Sequence, residues 1–291
     1  MGHTIVIFGA SGDLTSRKLV PALYELFRKQ RLDQPTRIVG VSRTLFSHEA
    51  WRERLAESTA RYVGKRFDRT VWDAFAPSLW YQPGDLEQAE SIAELGVWLD
   101  ELDAGSASRV YYLATAPQFY RPAVVHLGMA GLAEESKGPR RIVIEKPFGV
   151  DRATAASLNA VVHEVFSEPQ VYRIDHYLGK ETVQNLLVLR FANTIFEPIW
   201  NRNYVDHVEI TAAEEVPVGH RAGYYDKAGV LRDMFQNHLL QQLTLTAMEA
   251  PSRFGADYIR DEKVKVLRAI RPMQPGDIAA NTLRGQYRGY R

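Results

Sequence analysis

Thr4-Ile5-Val6-Ile7-Phe8-Gly9-Ala10-Ser11-Gly12-Asp13-Leu14 decides the fold of this chain. Thr4 to Phe8 is a continuous apolar run, which reads as a buried strand. The glycines that follow let the backbone come close to a ligand. Leu19, Leu23, Leu26 and Phe27 then recur at helical spacing. A strand, a glycine turn and a helix N-terminus together hold a dinucleotide pyrophosphate, because the free N–H groups and the helix dipole favour an anion. The turn lacks the full G-x-G-x-x-G, since Ser11 and Leu14 occupy two of the glycine positions. Taken alone, it fits an ordinary strand–turn–helix equally well.

The pattern beyond the turn narrows the choice. Strands are predicted at Ile38–Val41, near Leu79–Gln82, at Arg109–Ala114 and at Arg141–Ile144. Helices are predicted between them, at about His48–Val63, Leu86–Leu102 and Gln118–Ala130. Such alternation implies a doubly wound parallel sheet, an α/β domain of the Rossmann kind over residues 1–150. The character then changes. Asp151 N-caps a helix to Phe166, Asp175–Phe191 reads mainly as a helix after a short turn, and Tyr204–Glu214 reads as a strand. Long helices follow at about Gly229–Met248 and Asp257–Ile270. Residues 151–291 are expected to form a second, α+β domain with an incomplete, mainly antiparallel sheet. No repeat or low-complexity linker separates the two.

Composition excludes several classes. The 291 residues are 45% hydrophobic and 24% charged, the balance of a folded globular protein. A net charge of +1 argues against a broad cationic surface for nucleic acid. The absence of cysteine rules out disulfides and thiolate chemistry and fits a cytoplasmic home. No apolar run is long enough for a membrane helix, and Met1-Gly2-His3-Thr4 runs straight into an apolar strand without a basic-then-apolar leader of signal-peptide length.

Three clusters carry chemistry. Val39-Gly40-Val41-Ser42-Arg43 ends the second strand without the acid that binds unphosphorylated NAD; Arg43 suits the 2′-phosphate of NADP. Arg173-Ile174-Asp175-His176-Tyr177-Leu178-Gly179-Lys180-Glu181, if helical, sets His176 and Lys180 on one face as a clamp for a phosphate dianion. Spacing alone favours a surface histidine beside an ordinary lysine. Asp233-Met234-Phe235-Gln236-Asn237-His238 interrupts an apolar helix, and a histidine is a natural general base near neutral pH. The alternative there is a core histidine bonded to a carbonyl. No local spacing matches a metal-ligand motif, so no metal is expected.

These residues resemble the glucose-6-phosphate dehydrogenase family. The resemblance rests on the glycine turn with Lys18, Glu145-Lys146-Pro147-Phe148-Gly149, the stretch from Arg173 to Glu181, Gly223-Tyr224-Tyr225-Asp226, Arg232-Asp233 and Gln236-Asn237-His238-Leu239-Leu240, in family order along nearly the whole chain. It implies the first step of the oxidative pentose phosphate pathway, from glucose 6-phosphate and NADP to 6-phosphogluconolactone and NADPH. It implies His238 as the base and Asp175 as its carboxylate, with Asp233 left free for another role. It implies His176, Tyr177 and Lys180 at the sugar phosphate, Lys146 between substrate and cofactor, and Glu214 and Asp233 as acceptors for sugar hydroxyls. Gly9, Ser11, Gly12, Asp13, Leu14, Lys18 and Arg43 match cofactor positions. Members of the family are longer and homo-oligomeric; they complete an antiparallel sheet and carry a further phosphate-binding segment beyond the point reached at Arg291. Two alternatives stand beside the working enzyme. One is an NADP-binding remnant without catalysis. The other is a sugar oxidoreductase of the inositol and glucose–fructose group, whose Asp-to-His spacing is shorter than that from Asp233 to His238.

Overall fold

The first apolar run forms strand β1, Gly2–Phe8. A computed structural model describes residues 2–104, 107–213, 215, 217–219, 222–286 and 288–290, with Tyr224 and Lys227 described by backbone alone. A π-helical turn, Thr15–Leu19, opens helix α1, Val20–Arg28. The alternation continues as β2 (Thr36–Ser42), α2 (His48–Val63), α3 (Arg69–Phe75), β3 (Leu79–Pro83), α4 (Ala89–Leu102), β4 (Ala107–Leu113), α5 (Tyr120–Met129), β5 (Arg140–Ile144), α6 (Arg152–Val165) and β6 (Val171–Arg173). The six strands pair in parallel in the order β3-β2-β1-β4-β5-β6. Order reverses between β1 and β4, so a crevice opens at the carboxyl ends of those strands.

Each face of the sheet has its own core. Val6 and Phe8 of β1 join Val39 and Val41 of β2 on one face, under Leu95, Leu99, Val124 and Leu127 of α4 and α5. Ile7 and Ile38 point the other way, against Tyr24, Trp51, Trp72 and Phe75 of α1, α2 and α3. Burial on both faces explains why β1 is a continuous apolar run instead of an alternating one. Gly40 belongs to the second core: a Cβ there would stand 2.4 Å from the Trp51 ring. Helix α3, absent from the sequence expectation, starts at Asp68, whose Oδ1 accepts from the amides of Thr70 and Val71 at 2.8 and 3.2 Å.

The chain divides into two compact units, Met1–Ile174 and Asp175–Arg291. Residues 151–173, expected in the second domain, therefore pack with the first. Asp151 caps α6 as expected, in a reciprocal capping box with Thr154. Val162, Phe166 and Val171 are then buried in the same core as Ile142 and Ile144, and β6 adds to β5 in register Ile142↔Val171.

The second unit carries α7 (Glu181–Phe191), α8 (Ala222–Val230), a π-helical segment (Leu231–Leu239), α9 (Leu240–Ala247), α10 (Ala256–Ala269) and α11 (Pro275–Asn281). Among the described residues it holds no strand, which corrects the antiparallel sheet expected of them. The alternation of Val205, Val208 and Ile210 finds no ladder partner among those residues, and a lone strand leaves its backbone groups to water. The long helix expected from about Gly229 to Met248 is present as the π-helical segment running on into α9, and Gly229, with φ +66° and ψ 170°, separates it from α8.

At the opposite end of the first sheet lies a buried ion pair. Arg109 donates through Nε to Asp103 at 2.8 Å and through Nη2 to Asp100 at 2.7 Å, while Thr4 donates to Asp103 at 2.6 Å. Arg109→Met would leave the fully buried Asp103 carboxylate without its main counter-charge. A loss of about 3–5 kcal/mol in urea unfolding is expected.

Candidate functional site

In the first unit, the glycine turn is built by three constraints. Gly9 has φ +89°, and a Cβ there would stand 2.3 Å from the Ala114 carbonyl oxygen. The amides of Gly9 and Ala10 both donate to the Val41 carbonyl, at 2.9 and 3.1 Å. Gly12 N–H and Thr15 Oγ1 close the turn on the Gly9 carbonyl, at 2.9 and 3.1 Å. The helix that follows thus starts beside β2 and β4, at the switch point of the sheet.

A cavity of about 240 Å³ lies there, lined by Gly9, Ser11, Arg43, Gly84, Thr115 and Phe119 among others. Arg43 is exposed, its guanidinium 5.9 Å over the Phe119 ring, and makes no ion pair among the described residues. Thr115 Oγ1 is buried with no hydrogen-bond partner among those residues. Of the cofactor residues expected, Gly9, Ser11 and Arg43 line this cavity. Gly12 shapes the turn; Asp13 pairs with Arg17 at 3.1 Å; Leu14 and the exposed Lys18 lie on the helix that follows. Lys146 follows β5, at the same end of the sheet. Beside it Glu145 accepts from the Tyr112 hydroxyl at 2.7 Å, and burial together with that carboxylate raises the Tyr112 pKa. Gly84, Thr115 and Phe119 were missed in the sequence. They follow β3 and β4, and ligands of such sheets sit outside the carboxyl ends of the strands.

The second unit assembles the other cluster. His238 Nδ1 lies 2.5 Å from Asp175 Oδ1, with the imidazole 1% and the carboxylate 11% exposed. The same oxygen accepts from the Tyr177 amide at 2.9 Å. The Tyr177 ring stacks on His238 at 4.0 Å, and Lys180 Nζ sits 3.5 Å from the other ring's centre, that of Tyr177. His176 meets His238 edge to face at 4.7 Å. Asp175, His176, Tyr177, Lys180 and His238 are therefore one group. The helix expected to align His176 with Lys180 is not what joins them. Residues 176–179 form a turn closed by Leu178 N–H on the Asp175 carbonyl and Gly179 N–H on that of His176, and α7 begins only at Glu181. Asp233 is buried in the π-helical segment, and Glu214 lies outside the described residues.

Burial would raise the Asp175 pKa, but the bonds from His238 and the Tyr177 amide and the charges of His238 and His176 outweigh it and hold it below its ordinary value. With Nδ1–H donating to that carboxylate, a neutral His238 keeps its lone pair on Nε2.

The helix carrying His238 is held from both sides. Arg190, on α7, donates through Nη1 and Nη2 to the carbonyls of Leu245 and Met248, both at 2.7 Å. Trp200 donates to the Thr246 carbonyl at 2.9 Å. These are the last carbonyls of α9, which have no partner within the helix. Lys263, on α10, donates to Gln241 Oε1 at 2.8 Å. Burial lowers the Lys263 pKa, and the Asp175 carboxylate opposes that shift.

A doubly wound sheet with a glycine turn at its switch point defines the class of dinucleotide-binding proteins, here joined to a second unit with a histidine–carboxylate pair. Comparison with known proteins is narrower. The family model "Glucose-6-phosphate dehydrogenase, NAD binding domain" matches residues 6–185, and "Glucose-6-phosphate dehydrogenase, C-terminal domain" matches 187–291. The chain belongs to the glucose-6-phosphate dehydrogenase family. It is 47% identical to the glucose-6-phosphate 1-dehydrogenase of Aggregatibacter actinomycetemcomitans, over 97% of this chain and 58% of the relative. It is 46% identical to that of Treponema pallidum, over 98% of this chain and 56% of the relative. A solved glucose-6-phosphate dehydrogenase in complex with its substrate glucose 6-phosphate superposes with a TM-score of 0.87 at 38% identity, over 94% of this chain and 57% of that one. The Mycobacterium avium enzyme gives 0.86 at 37% identity, over 99% and 61%. The chain thus spans rather more than half the length of the relatives it matches.

Two outcomes are expected from this geometry. A depressed Asp175 pKa contributes stability that is present above the unfolded value, about 3.9, and is lost as pH falls through the lower folded value. Asp175→Asn should destabilise the second unit at neutral pH, with the difference shrinking toward zero in strong acid; urea unfolding at several pH values checks this. Arg190→Met removes two charge-assisted bonds to buried carbonyls and should cost about 3 kcal/mol, read by the same method.

Proposed function

We propose that this chain oxidises C1 of D-glucose 6-phosphate with NADP, giving 6-phospho-D-glucono-1,5-lactone and NADPH, as a cytoplasmic enzyme. The observation that carries the reading is the 2.5 Å contact of His238 with Asp175, inside a group that also gathers His176, Tyr177 and Lys180. The cavity of the first unit fits the dinucleotide: it offers a glycine turn at a helix start, a buried Thr115 hydroxyl with no hydrogen-bond partner among the described residues, and an exposed Arg43 for a 2′-phosphate. When bound, NADP supplies the acceptor for hydride.

The chain's own residues do the rest. His238 Nε2 takes the proton of the C1 hydroxyl as the C–H bond breaks, and Asp175 steadies the resulting imidazolium and fixes the ring. His176, Tyr177 and Lys180 hold the phosphate, and that remote binding energy orients the reacting carbon. Asp233 and Glu214 accept sugar hydroxyls, and Lys146 and Lys18 serve cofactor and substrate as positive charges. No step needs a metal.

The test is NADPH formation by the pure chain with glucose 6-phosphate. His238→Asn should lower kcat by at least about 10²–10⁴ while leaving NADP affinity, measured by calorimetry, nearly unchanged. Retained turnover in that variant removes His238 from the mechanism; binding of NADP without any turnover by the unaltered chain rejects the reading. Arg43→Ala should weaken NADP about tenfold or more and leave NAD almost untouched, which competition binding decides.

A further inference from the structure

Asp175, His176 and His238 each bring a ligand atom within 4.8 Å of the other two. We propose that this cluster is a binding site for a divalent transition-metal ion of the zinc class, and that the bound ion silences the proton acceptor. The inhibitory half of the proposal rests on the role given to His238 above; the binding half does not.

The donor set selects the ion. Two imidazoles and one carboxylate suit zinc, cobalt or nickel, whereas magnesium and calcium prefer oxygen ligands throughout. The surroundings suit it as well. His238 is almost fully buried and held by its helix, so one ligand is fixed in advance. His176 is exposed, which gives an ion its way in. Asp175 Oδ2 is buried and makes no hydrogen bond among the described residues, so the carboxylate has capacity beyond the bonds on Oδ1. Zinc–nitrogen bonds of about 2.0–2.1 Å in tetrahedral geometry put ligand atoms about 3.4 Å apart. The three donors already stand within 4.8 Å of one another, with His238 Nδ1 and Asp175 Oδ1 at 2.5 Å, so that spacing falls inside the range the cluster spans.

Charge works the other way. Lys180 stands over the Tyr177 ring, and Lys263 lies close enough to interact with Asp175. Two nearby ammonium groups keep the affinity below that of a dedicated structural site, in a range of about micromolar. The effect on chemistry follows from valence. A neutral imidazole has a single free lone pair, and whichever ring nitrogen the ion takes, that pair is used. The ion and the sugar's proton compete for the same electrons. Sequence spacing gave no hint of this, because the donors stand at 175, 176 and 238 and meet only in the fold.

The test is titration of the full chain, freed of metal by a chelator, with cobalt(II). Visible ligand-field bands of an imidazole-bound ion should grow to one equivalent, zinc should abolish them, and magnesium should not. His176→Gln and His238→Asn should each weaken binding by at least about tenfold. His207→Gln should leave it unchanged, although His207 is itself an exposed histidine beside Asp206 and Glu209. Should either site variant fail to fold, paramagnetic shifts in the unaltered chain decide: they must fall on the rings of His176 and His238 ahead of the other histidines. Absence of the bands, unaltered affinity in both site variants, or shifts centred elsewhere overturns the site. A chain that binds cobalt as described but forms no NADPH without metal sinks the dehydrogenase reading and leaves the site standing. A chain that turns over, and whose rate zinc at saturating occupancy does not lower, overturns the inhibitory half.

Discussion

A buried charge must find a partner or lose its charge, and both units are arranged around that constraint. Under the parallel sheet, Arg109 answers Asp103 and Asp100, and Thr4 at the start of the first strand completes the set. In the second unit Arg190 is spent on carbonyls at a helix end, with its guanidinium also against the Phe191 and Trp200 rings. Asp175 is the case with chemical consequence. Its carboxylate is held ionised in spite of its burial because an imidazole and an amide are aimed at one oxygen. That arrangement fixes the imidazole's tautomer and sets a negative charge beside the ring, which a core histidine bonded to a backbone carbonyl would lack.

The two sites follow different structural logics. In the first unit the cavity-lining residues lie at strand ends, where hydrogen-bond register sets their relative heights and leaves little freedom. Gly9 is held between the Val41 and Ala114 carbonyls, so its position is a property of the sheet. In the second unit the group depends on a turn and on one helix. Its precision comes from outside, through Arg190, Trp200 and Lys263. Mutations in those three residues therefore bear on His238 without touching it.

The sheet was legible because its strands are buried on both faces, and a run such as Thr4–Phe8 admits few other readings. That Gly9, Ser11 and Arg43 would share one cavity was legible because they follow β1 and β2, and the crevice of such a sheet lies outside the carboxyl ends of its strands. The pairing of His238 with Asp175 was not visible in spacing, since the partners are far apart in the chain; only family resemblance suggested it. A short turn was expected ahead of the helix near Asp175, but its extent to residue 179 was not, because periodicity does not register where a helix begins when no capping side chain marks the start. The unit boundary was misplaced because the end of strand–helix alternation is not the end of packing: Phe166 and Val171 still feed the first core. The tract around Val205–Ile210 alternates as a strand does, yet alternation records only which side chains are apolar and cannot supply a neighbouring strand.

The segment Leu231–Leu239 shows why helical periodicity misleads at such a place. In an α-helix a residue five positions on lies about 140° around the axis, so Asp233 and His238 would face different ways. A π-helix repeats its bonds from i to i+5, which brings residues five apart nearly into line. Both Asp233 and His238 are buried, at 6% and 1% exposure, as that geometry requires. The wider turn is a poorer helix, and it survives here between the break at Gly229 and a following α-helix whose far end Arg190 holds. The other π-helical turn, Thr15–Leu19, comes directly after the glycine turn. In both units, then, departure from regular helix falls next to or within a candidate site: after the glycine turn in one, and around His238 in the other.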